Sequence, residues 1–262
     1  MENLSIFFRT PAHVTLPSMD GVLRCSRYAF GPNRLHFCGP DANREIWDYV
    51  NDGYTDFGLQ KLLKGFEALY PYLQHIAREN HIEDPFDPRV VEAYWLGNEL
   101  LGHIEKAALH RHLTDTFRMK DKFPRATYRL LEKRIGTGLL PNHNYHVLNV
   151  PHAMGGISGE TDVNFMDSCR VSWGTVTAVS GPHITLTYEP LIRTGDLLML
   201  GAPIEKKIIR RLEADYDIEM LAPGHLVTMH WDIPCEVISQ REVTTLRRYT
   251  LEAIRIANVD KR

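Results

Sequence analysis

Long apolar runs are missing from this 262-residue chain: none reaches the roughly 18–20 residues that a membrane span needs. Cysteine is scarce too, and four in a chain of this length do not make a disulfide scaffold. Met1 to Phe8 carry neither a basic stretch nor a long apolar core, so no secretory signal is expected. A cytoplasmic setting with reduced thiols follows as the expectation. Neither sign of charge dominates: 30 Lys and Arg stand against 33 Asp and Glu, a net charge of -3. That balance argues against a large nucleic-acid footprint. No Gly-rich phosphate loop, Ser-His-Asp pattern, long internal repeat or low-complexity tract is present. What remains, 44% hydrophobic and 24% charged, is the composition of a folded globular protein rather than a disordered one.

The pattern predicts an α+β chain: an all-helical N-terminal domain, then a small OB-like antiparallel β-barrel with a C-terminal helix. Pro11 and Pro17 suggest an extended arm over residues 1–24, and Gly31-Pro32-Asn33 reads as a turn. From Asp56 to His81 apolar residues recur at steps of three and four, with Pro71 expected to kink or split the helix. Asp87-Pro88 reads as a helix cap and first turn, and that helix is expected to run to about Leu101. Further helices are predicted over Ile104–Phe117, from Pro124 to Gly136, and over Asn142–Val150. The helical domain covers 1–152 and a Gly-rich linker 153–167; the barrel and final helix cover 168–262. In that last part Arg170–Trp173, Thr175–Val179, Ile184–Tyr188 and Leu226–His230 read as strands, and Leu197–Leu200 is a further apolar segment. Residues 204–216 suit either helix or strand. Ser239 and Glu242 have the spacing of a capping box.

Two short motifs carry a likeness. Cys169 is followed five residues later by Gly174, and Pro223-Gly224 is followed by His230 six residues after the glycine. With the helix around Leu246-Arg247-Arg248-Tyr249, residues 168–258 resemble the HypC/HupF family of [NiFe]-hydrogenase assembly chaperones. This chain departs from that family in placing Cys169 internally, His225 at the turn aspartate and Trp173 before Gly174. The whole chain also resembles an uncharacterised bacterial family, a domain of unknown function sometimes found near hydrogenase genes. Tyr28-Ala29-Phe30, Phe37-Cys38-Gly39-Pro40 and Val90–Asn98 carry that second likeness.

The first resemblance implies a non-enzymatic maturation factor that carries an iron fragment bearing cyanide and carbon monoxide, transiently, on Cys169 and His230. A thiolate and an imidazole match such iron better than carboxylates do. The implied partners are the hydrogenase large-subunit precursor and an iron-loading scaffold of the HypD type, with no nucleic acid and no membrane. Cys169 would need thiolate character, which Arg170 or a protonated His225 could supply. Cys38, Cys235 and His225 are secondary candidates. His143 and His146 make a weak His-x-x-His signal, while His110 and His112 read as surface residues. The alternative is a thiol-dependent enzyme using Cys38 or Cys169 with a histidine.

Overall fold

The computed structural model describes residues 19–150, 163–210, 220–259 and 261. Helices lead: α1 (Gly21–Arg34), α2 (Asn43–Asp52), α3 (Phe57–Lys64), α4 (Leu69–Glu79), α5 (Pro88–Trp95), α6 (Lys106–Arg111), α7 (Met119–Lys122), α8 (Arg125–Thr137), α9 (His143–Asn149) and α10 (Val163–Cys169). Strands β1 (Ser172–Ser180), β2 (His183–Tyr188), β3 (Leu191–Thr194), β4 (Leu197–Leu200), β5 (Ile204–Ile209), β6 (Leu226–His230) and β7 (Ile233–Val237) follow, and α11 (Gln240–Ala257) ends the described chain. The α+β order is as expected, with no helix among the described residues long and apolar enough to cross a membrane.

Several boundaries differ from the sequence reading, each for a local reason. The extended arm lies partly outside the described residues, and α1 begins inside it, at Gly21. Gly31-Pro32-Asn33 is not a turn but the last turn of α1. The break between α3 and α4 falls at Gly65, not Pro71, which sits in the first turn of α4 where its missing amide costs little. α5 stops at Trp95 because Gly97 takes a φ of +88° against the Tyr249 ring; a Cβ there would meet that ring at 2.1 Å. A 3₁₀ turn over Glu99–His103 follows, and a π-helical turn over His112–Thr116 interrupts the next predicted helix. The expected linker lies outside the described residues up to 162, but its last part, 163–167, is helical and belongs to α10. Cys169 therefore ends a helix rather than opening a strand.

The sheet runs β5-β2-β1-β6-β7, antiparallel throughout, and β3 and β4 form a separate pair. Residues 204–209, left open by the sequence, are strand, while 211–219 lie outside the described residues. No ladder joins β5 to β7 among the described residues, so the sheet is open and the expected barrel closure is not seen. β5 carries Glu205-Lys206-Lys207, charged residues of the kind that keep an edge strand in water.

One buried cluster links both halves of the chain: Tyr28, Leu63, Leu73, Trp95 and Tyr145 share it with Cys169, Trp173, Cys235, Leu246 and Ile256. Alternation in β6 puts Val227 and Met229 into a smaller cluster with Val176, Ile184 and Leu186. Thr228 and His230 therefore point the other way, towards α1. There the Tyr28 hydroxyl donates to Glu236 at 2.6 Å and lies 2.9 Å from the Thr228 hydroxyl. Arg24 adds a 2.9 Å hydrogen bond from its Nε to the same carboxylate, so α1 is pinned to the β6–β7 hairpin. Burial holds that guanidinium back, but the Glu236 charge beside it wins and raises its pKa.

Candidate metal centre

His230 owes its place to two residues that look like turn formers. A proline has no amide, so Pro32 leaves the carbonyl four residues earlier, that of Tyr28, without its helical donor. His230 fills the gap: its Nδ1 lies 2.7 Å from the Tyr28 carbonyl oxygen. Gly31 lets the strand come this close, because a Cβ there would stand 2.5 Å from the His230 carbonyl oxygen. The pairing fixes the tautomer. Nδ1 carries the proton, and Nε2 keeps its lone pair, buried and without a hydrogen-bond partner of its own.

Cys169 and His143 are set by a three-residue run, Asn142-His143-Asn144. Asn142 caps α9, accepting from the Asn144 amide at 3.0 Å, and its Nδ2 donates to the Ala93 and Tyr94 carbonyls at 3.0 and 2.9 Å. Asn144 grips the backbone just after Cys169: its Oδ1 accepts from the Val171 amide at 2.8 Å and its Nδ2 donates to the Val171 carbonyl at 2.9 Å. Between them, His143 Nε2 lies 2.8 Å from the Cys169 carbonyl and Nδ1 lies 3.3 Å from the Tyr94 hydroxyl. From the other side, the Trp231 amide donates to the Ser168 carbonyl at 2.8 Å. Three segments far apart in the chain are thereby locked together.

The result is a group of His143, Cys169 and His230 whose ligand atoms all lie within 4.8 Å of one another. Relative exposures of 8%, 3% and 1% make it a buried group. Trp95 forms one wall, its ring centroid 4.7 Å from that of His143 and 5.6 Å from that of His230, with Tyr28 stacked on it at 5.1 Å. Outside, Phe37, Phe165 and Trp231 pack ring on ring at 4.6 to 5.4 Å. Trp231 and Asp232 make the β6–β7 turn with φ of +54° and +60°. A bulky residue at positive φ is strained. The Trp231 indole lies against the Cys169 thiol.

Electrostatics keep the group uncharged. Burial pushes the Cys169 thiol well above its ordinary range; the nearby Cys38 adds to that, and the Trp231 indole N–H opposes it. Burial likewise lowers His230 to about 4, against smaller opposing effects from the Tyr28 and Cys169 backbone. His143 is lowered well below its usual value, first by burial and then by His230. Two neutral imidazoles are in the form that binds metal, whereas the thiol must give up its proton to the incoming cation. A thiol-dependent enzyme would need a depressed thiol pKa. Burial raises Cys38 as well, to about 11, with Glu67 adding and the Gly39 amide opposing.

The donor set fits a soft or borderline ion. Bond lengths of about 2.3 Å to sulfur and about 2.0–2.1 Å to imidazole nitrogen put the ligands of a tetrahedral ion about 3.4–3.6 Å apart. From separations of up to 4.8 Å, the three residues must close by up to about 1.4 Å. His143 is the costlier ligand, since both its nitrogens already have partners.

The other candidates lie elsewhere or act differently. Arg170 does not activate Cys169: fully buried, it pairs with Asp167 at 2.8 Å and donates to the Glu189 carbonyl. His225 stays in its turn, its Nδ1 accepting from the Ala222 amide at 3.3 Å. Cys235 is buried in β7, with its thiol 3.4 Å from the Ile233 carbonyl, and is not one of the three. Cys38 is the least buried of four free cysteines. His112 is no surface residue: it is buried and stacked on His75 at 4.4 Å. His146 is buried on Tyr72, with 2.9 Å between Nδ1 and the hydroxyl. Spacing paired His143 with His146, whereas the structure sets it beside Cys169 and His230. The signal was its flanks, two asparagines able to fasten backbone on either side.

A family described as a family of unknown function, DUF6390, matches residues 17–262, and the chain belongs to it. No curated protein and no solved structure matches the chain.

Proposed function

Within a family whose function is unknown, we propose that this chain holds one soft or borderline transition-metal ion between Cys169, His143 and His230, as an accessory protein in metalloenzyme assembly. One observation carries the reading: three ligand atoms within 4.8 Å of one another, one of them the unpartnered Nε2 of His230. A thiolate with two imidazoles suits copper, zinc or iron and not magnesium or calcium. The Tyr28 carbonyl supports it, because His230 turns its other nitrogen to that fixed oxygen, as metal-binding histidines do.

The resemblance over residues 168–258 supports a narrower version. In it the sheet is an OB-like module, the cargo is an iron fragment bearing cyanide and carbon monoxide, and the partners are a hydrogenase large-subunit precursor and its iron-loading scaffold. Burial favours holding over display, so hand-over requires the Phe37, Phe165 and Trp231 cover to open.

The test is metal content with infrared spectroscopy on protein purified anaerobically from cells supplied with iron, copper or zinc. About one metal per chain is expected, lost in Cys169→Ser and in His230→Gln. Cyanide and carbonyl stretching bands that vanish with the metal support the iron fragment; metal without those bands supports the plain ion and removes the hydrogenase version. Wild-type protein that stays as metal-free as Cys169→Ser, even after reconstitution, overturns the proposal.

A further inference from the structure

Burial makes charge the deciding property of the centre. Among the described residues the group holds one thiol and two imidazoles, with no carboxylate belonging to it. The groups that face its ligands are uncharged as well. His230 turns to the Tyr28 carbonyl, and His143 to the Cys169 carbonyl and the Tyr94 hydroxyl. The acids nearest in sequence to Cys169 and His230 are already matched by cations: Asp167 pairs with Arg170 at 2.8 Å, and Asp232 with Lys206. The buried Glu236, which accepts from the Tyr28 hydroxyl, is matched by Arg24 at 2.8 Å. Trp95, with Tyr28 stacked behind it, supplies an apolar wall.

We propose that the ion held by Cys169, His143 and His230 is monovalent and soft, namely copper(I). The inference rests on the metal-binding reading above and narrows it to one charge. On binding, the Cys169 thiol releases one proton to solvent as one copper–sulfur and two copper–nitrogen bonds form, and copper keeps its oxidation state. The thiolate and the ion cancel, so the buried group is neutral before and after. A divalent ion leaves one positive charge uncancelled among apolar rings, which is a costly burial. The iron(II) fragment, itself neutral with its two cyanides, leaves the thiolate charge uncancelled instead. Ligand number points the same way. Zinc takes four ligands in closed sites, whereas three are gathered here. Thiolate is also the ligand class that selects copper(I).

The experiment offers the full-length apo chain equimolar copper(I), zinc(II) and iron(II) under excess glutathione without oxygen, then reads retained metal after gel filtration. About one copper per chain is expected, with at least about tenfold less zinc and iron, and the copper is lost in Cys169→Ser. A pair of variants isolates the charge. Trp231→Asp sets a carboxylate beside Cys169, and Trp231→Asn is its uncharged match; both residues tolerate the positive φ of that turn. The ratio of zinc to copper should be at least about tenfold higher in the aspartate variant than in the asparagine one. Zinc or iron retained by wild type at the level of copper overturns the monovalent assignment while leaving the metal site standing. Equal ratios in the two variants overturn it too. Wild type as metal-free as Cys169→Ser sinks the metal reading itself.

Discussion

Gly31→Ala is the sharpest perturbation of this architecture. Elsewhere in a helix the change would stabilise, by about 1 kcal/mol at most, since alanine is the better helix former. Here the new methyl would stand 2.5 Å from the His230 carbonyl oxygen and 3.3 Å from the Trp231 Cβ. The first is a backbone atom in a paired strand, so α1 and β6 must separate by close to an ångström to restore ordinary contact. Overpacking of that kind costs about 1–3 kcal/mol. The same separation stretches the 2.7 Å bond between His230 and the Tyr28 carbonyl past hydrogen-bond range, leaving two buried polar groups unpaired at about 1–3 kcal/mol. The net expectation is a loss of about 1–5 kcal/mol, near 3, with metal affinity falling as His230 loses its orientation. Urea unfolding followed by far-ultraviolet circular dichroism measures the first, and a chelator competition the second. Gly136→Ala in α8, where a Cβ meets nothing within 4 Å, is the control and should be neutral or slightly stabilising. A Gly31→Ala midpoint equal to that of Gly136→Ala would refute the account of how helix and strand are fitted together.

Other expectations follow from the same geometry. Asn144→Ala strips both partners from the Val171 backbone and should cost about 2–4 kcal/mol in urea unfolding, whereas Asn144→Asp, which keeps only the acceptor, should recover none of the Nδ2 bonds. His75, His146 and His230 are lowered to about 4 and His112 to about 3, in each case chiefly by burial. The unfolded chain, with ordinary histidines near 6.5, binds more protons below that pH, so stability should be full above about 6.5 and fall as pH drops towards 4. His146→Gln should shallow that slope in unfolding titrations from pH 7 to 4.5, and an unchanged slope would count against a neutral buried His146. Cys38 should be alkylated by iodoacetamide in the native state well before Cys25, Cys169 and Cys235, as peptide mass spectrometry of timed quenches would reveal.

How far the sequence could be read depended on how local each signal was. The Asp87-Pro88 start of α5 and the capping box of Ser239 with Glu242 were legible because their partners lie within three residues. So was the alternation of β2, which is buried on every second residue. Gly31 and Pro32 misled for the same reason. Taken locally they spell a turn, and only a strand two hundred residues away shows why one lacks a side chain and the other an amide. Cys169 and His230 were candidates through resemblance, yet nothing in their spacing places His143 beside them; that convergence comes from the two flanking asparagines and from Trp231. Burial of the centre was equally hidden, because Phe37 and Phe165 carry no periodic signal that marks them as a cover.

X-ray absorption on metal-loaded protein tests the central claim most directly. The account requires one sulfur at about 2.3 Å and two imidazole nitrogens at about 2.0–2.1 Å around the metal, with the sulfur shell gone in Cys169→Ser. A spectrum of oxygen and nitrogen neighbours alone, unchanged by that substitution, would contradict it.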